Sequence, residues 1–124
     1  MANGKKVILA VDDMKEVLTN INAILQDKYD IRLAIDAKSA MAALETINVD
    51  LILLDVEMPG MSGIKFLEKL QKEEKYKNIP VVFITANNGD KTVNDAVKKG
   101  AKGYIVKPFL PEDLLSSVQF FCPC

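Results

Sequence analysis

The chain has 124 residues, enough for one domain, and 49% of them are hydrophobic, enough for a sizeable core. Sixteen basic and 17 acidic residues leave a net charge of −1, which gives no electrostatic footprint for nucleic acid or an anionic membrane. Histidine is absent, which excludes histidine acid/base catalysis, Ser-His-Asp triads and histidine metal sites.

The first apolar run, Val7–Val11, follows an N-terminus (MANGKK) that lacks the apolar region of a signal peptide. No run in the chain approaches the ~20 residues of a membrane helix, so a cytoplasmic location is expected. Val17, Leu18, Ile21, Ile24 and Leu25 then recur on one face of a helix. Ile31–Ile35 is a weaker run, and Arg32 within it suits an edge strand. Ala40, Ala43, Leu44 and Ile47 repeat the helical spacing, with Ser39 as the expected cap. Leu51–Leu54 is continuously apolar, and Ile64, Phe66, Leu67 and Leu70 follow Gly63 on a third helical face. Val81–Ile84 is the fourth strand. A thin stripe of Val93, Ala96 and Val97 marks a helix that ends at Gly100, a suitable C-terminal glycine. Tyr104–Val106 is the fifth strand. Pro111 opens the last helix, with Glu112 and Asp113 matching its dipole. Leu114, Leu115, Val118 and Phe121 form its core face, and Phe120 points elsewhere.

Near-continuous apolar runs suit parallel strands covered on both faces. The order is strand then helix, five times. This predicts a doubly wound, five-stranded parallel sheet, a (βα)5 flavodoxin-like α/β fold, with strand order 2-1-3-4-5 by analogy. The domain is expected over residues 1–121. Residues 122–124 (Cys-Pro-Cys) are read as an exposed tail or cloning remnant, since their spacing is neither a redox motif nor a metal framework.

Ligands of such sheets bind beyond the carboxyl ends of the strands. Strand 1 ends in Asp12-Asp13, strand 3 in Asp55, strand 4 in Thr85-Ala86 and strand 5 in Lys107-Pro108. Two carboxylates ~4 Å apart repel by up to about 4 kcal/mol at an effective dielectric near 20, so the cluster must share a proton or bind a cation. Oxygen-only ligands favour a hard ion, Mg²⁺ or Mn²⁺, and Mg²⁺ completes its shell with water and phosphate oxygens. Asp55 ends the central strand and is the best nucleophile toward phosphorus. Lys107 would neutralise the transferring group, and Thr85 could donate to a phosphoryl oxygen.

The acidic pair Asp12-Asp13, Asp55 within LILLDVEMPGMSG, Thr85-Ala86 and Lys107-Pro108-Phe109 together resemble the response-regulator receiver family over nearly the whole chain. The resemblance implies a phosphoacceptor domain of a two-component system, switching its own state without turnover of an external substrate. It makes Asp55 the phosphoacceptor. Asp12, Asp13, Asp55 and the backbone carbonyl of Glu57 become metal ligands, and Lys107, before a cis Pro108, the phosphoryl-contacting lysine. Pro59 and Gly63 match the loop after the phosphoacceptor, where Gly63 allows a positive φ or a close helix start. Thr85 and Tyr104 resemble switch residues, and Glu57 and Asn87 occupy positions that tune hydrolysis of the acyl phosphate.

The partners so implied are a histidine kinase or histidine phosphotransfer protein, and a downstream protein or output domain, with no direct nucleic-acid or membrane binding. The output face runs over the fourth helix, fifth strand and fifth helix of a monomer or a phosphorylation-dependent homodimer. Three other readings compete. An interaction module without phosphorylation conflicts with the complete set Asp12, Asp13, Asp55, Thr85 and Lys107. An aspartyl phosphatase would carry its nucleophile after strand 1. A flavin protein would not carry an acidic loop there.

Overall fold

The computed structural model describes residues 5–58, 60–86 and 98–123. Five strands form one parallel sheet: β1 (Val7–Val11), β2 (Asp30–Ala34), β3 (Leu51–Asp55), β4 (Val81–Thr85) and β5 (Gly103–Val106). The order is β2-β1-β3-β4-β5, as expected. Helices α1 (Lys15–Leu25), α2 (Ala37–Thr46) and α3 (Gly63–Gln71) follow the first three strands. The last helix, α4, is Pro111–Phe121. The helix expected around Val93, Ala96 and Val97 lies outside the described residues, as do Pro59, Asn87 and Cys124.

The apolar runs are continuous because alternate residues enter two different cores. Leu9, Val11, Ile52, Leu54, Val81 and Phe83 face α2 and α3, where Ala40, Leu44, Phe66, Leu67 and Leu70 meet them. Ile8, Ala10, Leu51, Leu53, Val82, Ile84 and Ile105 face α1 and α4, against Leu18, Ile21, Leu25, Leu114 and Val118. Each fully buried Leu or Ile contributes about 1.5–3 kcal/mol, so the three central strands carry most of the fold. Strand β2 lies at the sheet edge, where Arg32 pairs with Asp30 at 3.1 Å in solvent. The face assigned to α4 is as expected, with Phe120 turned to solvent at 78% exposure.

Two local expectations change. Asp36, not Ser39, caps α2: its carboxylate accepts from the Ser39 N–H at 2.7 Å, and Ser39 lies inside the helix. An acidic cap one turn earlier also suits the helix dipole, and the bond holds the Asp36 carboxyl below the usual range. Cys122, expected in an exposed tail, is buried in the α1/α4 core. The Tyr29 hydroxyl donates to its carbonyl at 2.6 Å, tying the end of α4 to the chain after α1. Ordered packing therefore continues through Cys122, one residue past the expected boundary.

The Tyr29 bond is buried, so its loss should register. Tyr29→Phe is expected to lower the unfolding free energy by about 1 kcal/mol, read by urea denaturation. An unchanged midpoint would show that the contact adds nothing.

Candidate functional site

The sheet brings the strand-end residues together at one edge. Asp12 follows β1, Asp55 ends β3, Thr85 ends β4 and Lys107 follows β5. Asp12, Asp13 and Asp55 each place one carboxylate oxygen within 4.8 Å of the others. Asp12 is fully buried, Asp55 nearly so, and Asp13 is exposed. The Lys107 amine reaches across β3, lying 2.8 Å from Asp12 Oδ2 and 3.5 Å from Asp55 Oδ1. The Lys107-Pro108 bond is cis.

Backbone groups hold the two buried acids in the same way. The Met14 N–H donates to Asp12 Oδ1 at 2.9 Å, and the Glu57 N–H donates to Asp55 Oδ1 at 3.3 Å. Both are Asx turns, with an aspartate bonding the backbone two residues on. Sequence reasoning missed these N–H groups, although an Asp at a strand exit is a usable signal for such a turn. Lys107 is fixed from below: its own N–H donates to the Thr85 carbonyl at 2.7 Å, which couples the two residues through the β4–β5 ladder.

The electrostatics follow from this burial. Desolvation, then the negative charge of Asp12, push the Asp55 carboxyl up to about 6, against the opposing pull of Lys107 and the Glu57 N–H. Burial works against the charge on Lys107. Its ion pair with Asp12 and the field of Asp55 outweigh burial and hold its pKa above the ordinary value.

A hard cation fits this donor set. Asp12 Oδ2 is buried and accepts no well-directed hydrogen bond: its contact with Lys107 is ionic. A buried carboxylate oxygen held by an ion pair, beside two further carboxylates, offers oxygen ligands only, the set that Mg²⁺ or Mn²⁺ takes.

The other expected residues fall around this cluster. Thr85 is buried, and Ala86 beyond it is exposed. Glu57 is exposed beside Asp55. Tyr104 is exposed on β5 at 42%, in an open groove with Ser116, Ser117 and Phe120. Gly63 starts α3 closely and does not take a positive φ, so the first of its two expected roles is excluded.

A doubly wound parallel sheet with an acidic crevice at its carboxyl edge places the chain among α/β domains that bind their ligands at the strand ends. The chain matches the response regulator receiver domain over residues 8–119 and belongs to that family. It is a receiver domain, the phosphoacceptor module of two-component signalling. It is similar to the chemotaxis protein CheY of Pseudomonas aeruginosa, 32% identical over 90% of this chain and 92% of that protein. It is also similar to the nitrate/nitrite response regulator protein NarL of Escherichia coli, 35% identical over 90% of this chain, and spans about half (52%) of NarL's length. Among solved structures, the Vibrio cholerae chemotaxis protein CheY4 superposes with a TM-score of 0.89 at 32% identity, covering 95% of this chain and 99% of that one. No helix among the described residues is long and apolar enough to cross a membrane.

The raised Asp55 pKa makes a signed prediction. Stability linked to protonated Asp55 is fully present below about pH 4, its unfolded range, and is lost as pH rises through about 6. Asp55→Asn is therefore expected to be more stable than wild type above pH 6 in metal-free buffer, by about 1–2 kcal/mol once solvent screening is counted. The gap should close toward pH 4, and Mg²⁺ should narrow it at pH 7.5. Urea unfolding across this range checks it, and a variant less stable than wild type at pH 7.5 contradicts it.

Proposed function

We propose that Asp55 is the phosphoacceptor, that Asp12, Asp13, Asp55 and the backbone carbonyl of Glu57 hold Mg²⁺ or Mn²⁺, and that Lys107 and Thr85 contact the oxygens of the phosphoryl group. One observation carries this reading: three carboxylates within 4.8 Å of one another, with the Lys107 amine set between Asp12 and Asp55. The metal would neutralise charge on the phosphoryl oxygens. An Asp55 oxygen bonds to phosphorus as the donor's P–N bond breaks, and the bonding pair returns to the donor imidazole nitrogen. Lys107, already within 3.5 Å of Asp55, follows the charge to the new phosphoryl oxygens. The donor imidazole must come from another protein, because this chain has no histidine.

A histidine kinase or a histidine phosphotransfer protein supplies that group, in the cytoplasm. An apolar groove of about 530 Å³ lined by Met14, Val17, Ala86, Pro108 and Phe109 opens beside Lys107 and supports docking of a protein donor there. On the output side, Thr85 and Tyr104 act as the switch. The phosphoryl group biases two existing conformations of the face formed by the segment before β5, β5 itself and α4. A downstream protein, an output domain or a second copy reads that face. Glu57 and Asn87 tune hydrolysis of the acyl phosphate.

Acetyl phosphate with Mg²⁺ should give a single phosphoryl adduct by intact mass, absent from Asp55→Asn and from wild type with the metal chelated. Lys107→Ala should slow its formation at least tenfold. No adduct on wild type, or an equal one on Asp55→Asn, would sink the proposal.

A further inference from the structure

We infer that Gly63 is a positioning residue for the Asp55 site: its missing side chain lets the first turn of α3 seat directly on the Asp55 main chain and so sets where the carboxylate points. This rests on the proposed role of Asp55.

Three contacts around Gly63 carry the inference. A Cβ built on Gly63 would run into the Asp55 carbonyl oxygen, and would lie 3.0 Å from the Asp55 carbonyl carbon and 3.0 Å from the Phe83 ring. The nearest obstacle is therefore backbone at the phosphoacceptor itself and cannot swing aside as a flexible side chain could. The Gly63 N–H also donates to the Val56 carbonyl at 2.8 Å, stitching the start of α3 to the strand exit. Ser62 caps the helix by accepting from the Lys65 N–H, so this first turn is held from its own side too.

The peptide that would be displaced is the one that aims the site. Rotating the Asp55 carbonyl away from a new methyl group turns the Asp55–Val56 peptide. That peptide joins the Asp55 side chain to the Glu57 N–H, which holds Asp55 Oδ1 at 3.3 Å. The Val56 N–H is anchored to the Ile84 carbonyl at 3.2 Å on the other side, so the strain is confined to the strand end. Backbone freedom does not explain the glycine. Gly60 and Gly100 have φ of +85° and +116°, whereas Gly63 lies in the helix without a positive φ. What the position demands is space against Asp55.

Mg²⁺ affinity reads this geometry without any phosphodonor. Wild type, Gly63→Ala, Gly63→Ala/Phe83→Leu and Gly100→Ala would be titrated with Mg²⁺ by calorimetry, with the folded fraction of each measured by circular dichroism. Gly100→Ala serves as the destabilising control, since its added Cβ would meet the Gln71 side chain and its φ is positive. Gly63→Ala is expected to bind Mg²⁺ at least tenfold more weakly per folded molecule, since small displacements of reacting groups cost orders of magnitude. Gly100→Ala is expected to lose stability and keep the wild-type affinity. The double variant relieves the contact with the ring but not with the carbonyl, so it should stay weak for Mg²⁺. Titration in a stabilising osmolyte keeps both variants folded for the measurement.

Wild-type affinity in Gly63→Ala or in the double variant would overturn the inference and leave the role of Asp55 standing. A wild-type chain that binds no Mg²⁺ would remove both.

Discussion

Burying two aspartates at the end of an apolar sheet is the constraint on which the rest of this structure turns. Asp12 and Asp55 lie at the exits of β1 and β3, adjacent strands whose residues are otherwise almost wholly apolar. Water cannot screen them there, and the fold compensates with two backbone N–H groups and one amine. The compensation is incomplete. Asp12 Oδ2 keeps a contact that is ionic and poorly directed, and Asp55 is held partly toward its neutral form. A fully neutralised cluster would gain little from a cation and a phosphoryl group. A cluster left short of positive charge stays ready for the one and responsive to the other.

The sheet order makes this deficit possible. With β3 between β1 and β4, the central strand delivers Asp55 between Asp12 on one side and Thr85 on the other, with β5 bringing Lys107 from beyond β4. Lys107 must therefore cross β4 to reach the acids. It does so with its main chain tied to Thr85, the residue proposed to contact the phosphoryl group. A shift in Thr85 and a shift in Lys107 are thus mechanically linked through one ladder hydrogen bond. Tyr104 lies in the same strand pair, opposite Phe83 in the register, so a change at the strand end has a short path to the open face.

The strands and the ionisable site residues were legible in the sequence because each leaves a one-dimensional trace. A run such as Leu51–Leu54 reads as doubly covered, and an acid, hydroxyl or amine at each strand end follows from the order of elements. What escaped was set by groups without a side-chain signature. The Met14 and Glu57 N–H groups belong to the backbone, which any residue type supplies. Asp36 and Ser39 are both good caps, and only the actual start of α2 decides between them. Cys122 looked like tail because its burial depends on Tyr29, 93 residues earlier, a contact no local pattern encodes.

Gly63 belongs between these cases. Its residue type is visible, yet two different physical demands, a positive φ or a close approach, produce the same letter in a sequence. The structure separates them, because its backbone is helical and the obstacle is the Asp55 carbonyl. The helix that follows β3 is thereby seated on the main chain of Asp55, the proposed phosphoacceptor. Buried faces of α3, carried by Phe66, Leu67 and Leu70, fix that helix to the sheet. Packing on one side of the sheet is transmitted through a single glycine contact to the direction of a carboxylate at its edge. The hydrophobic core thus does more than stabilise the domain: it holds the acid in place for the chemistry that burial makes possible.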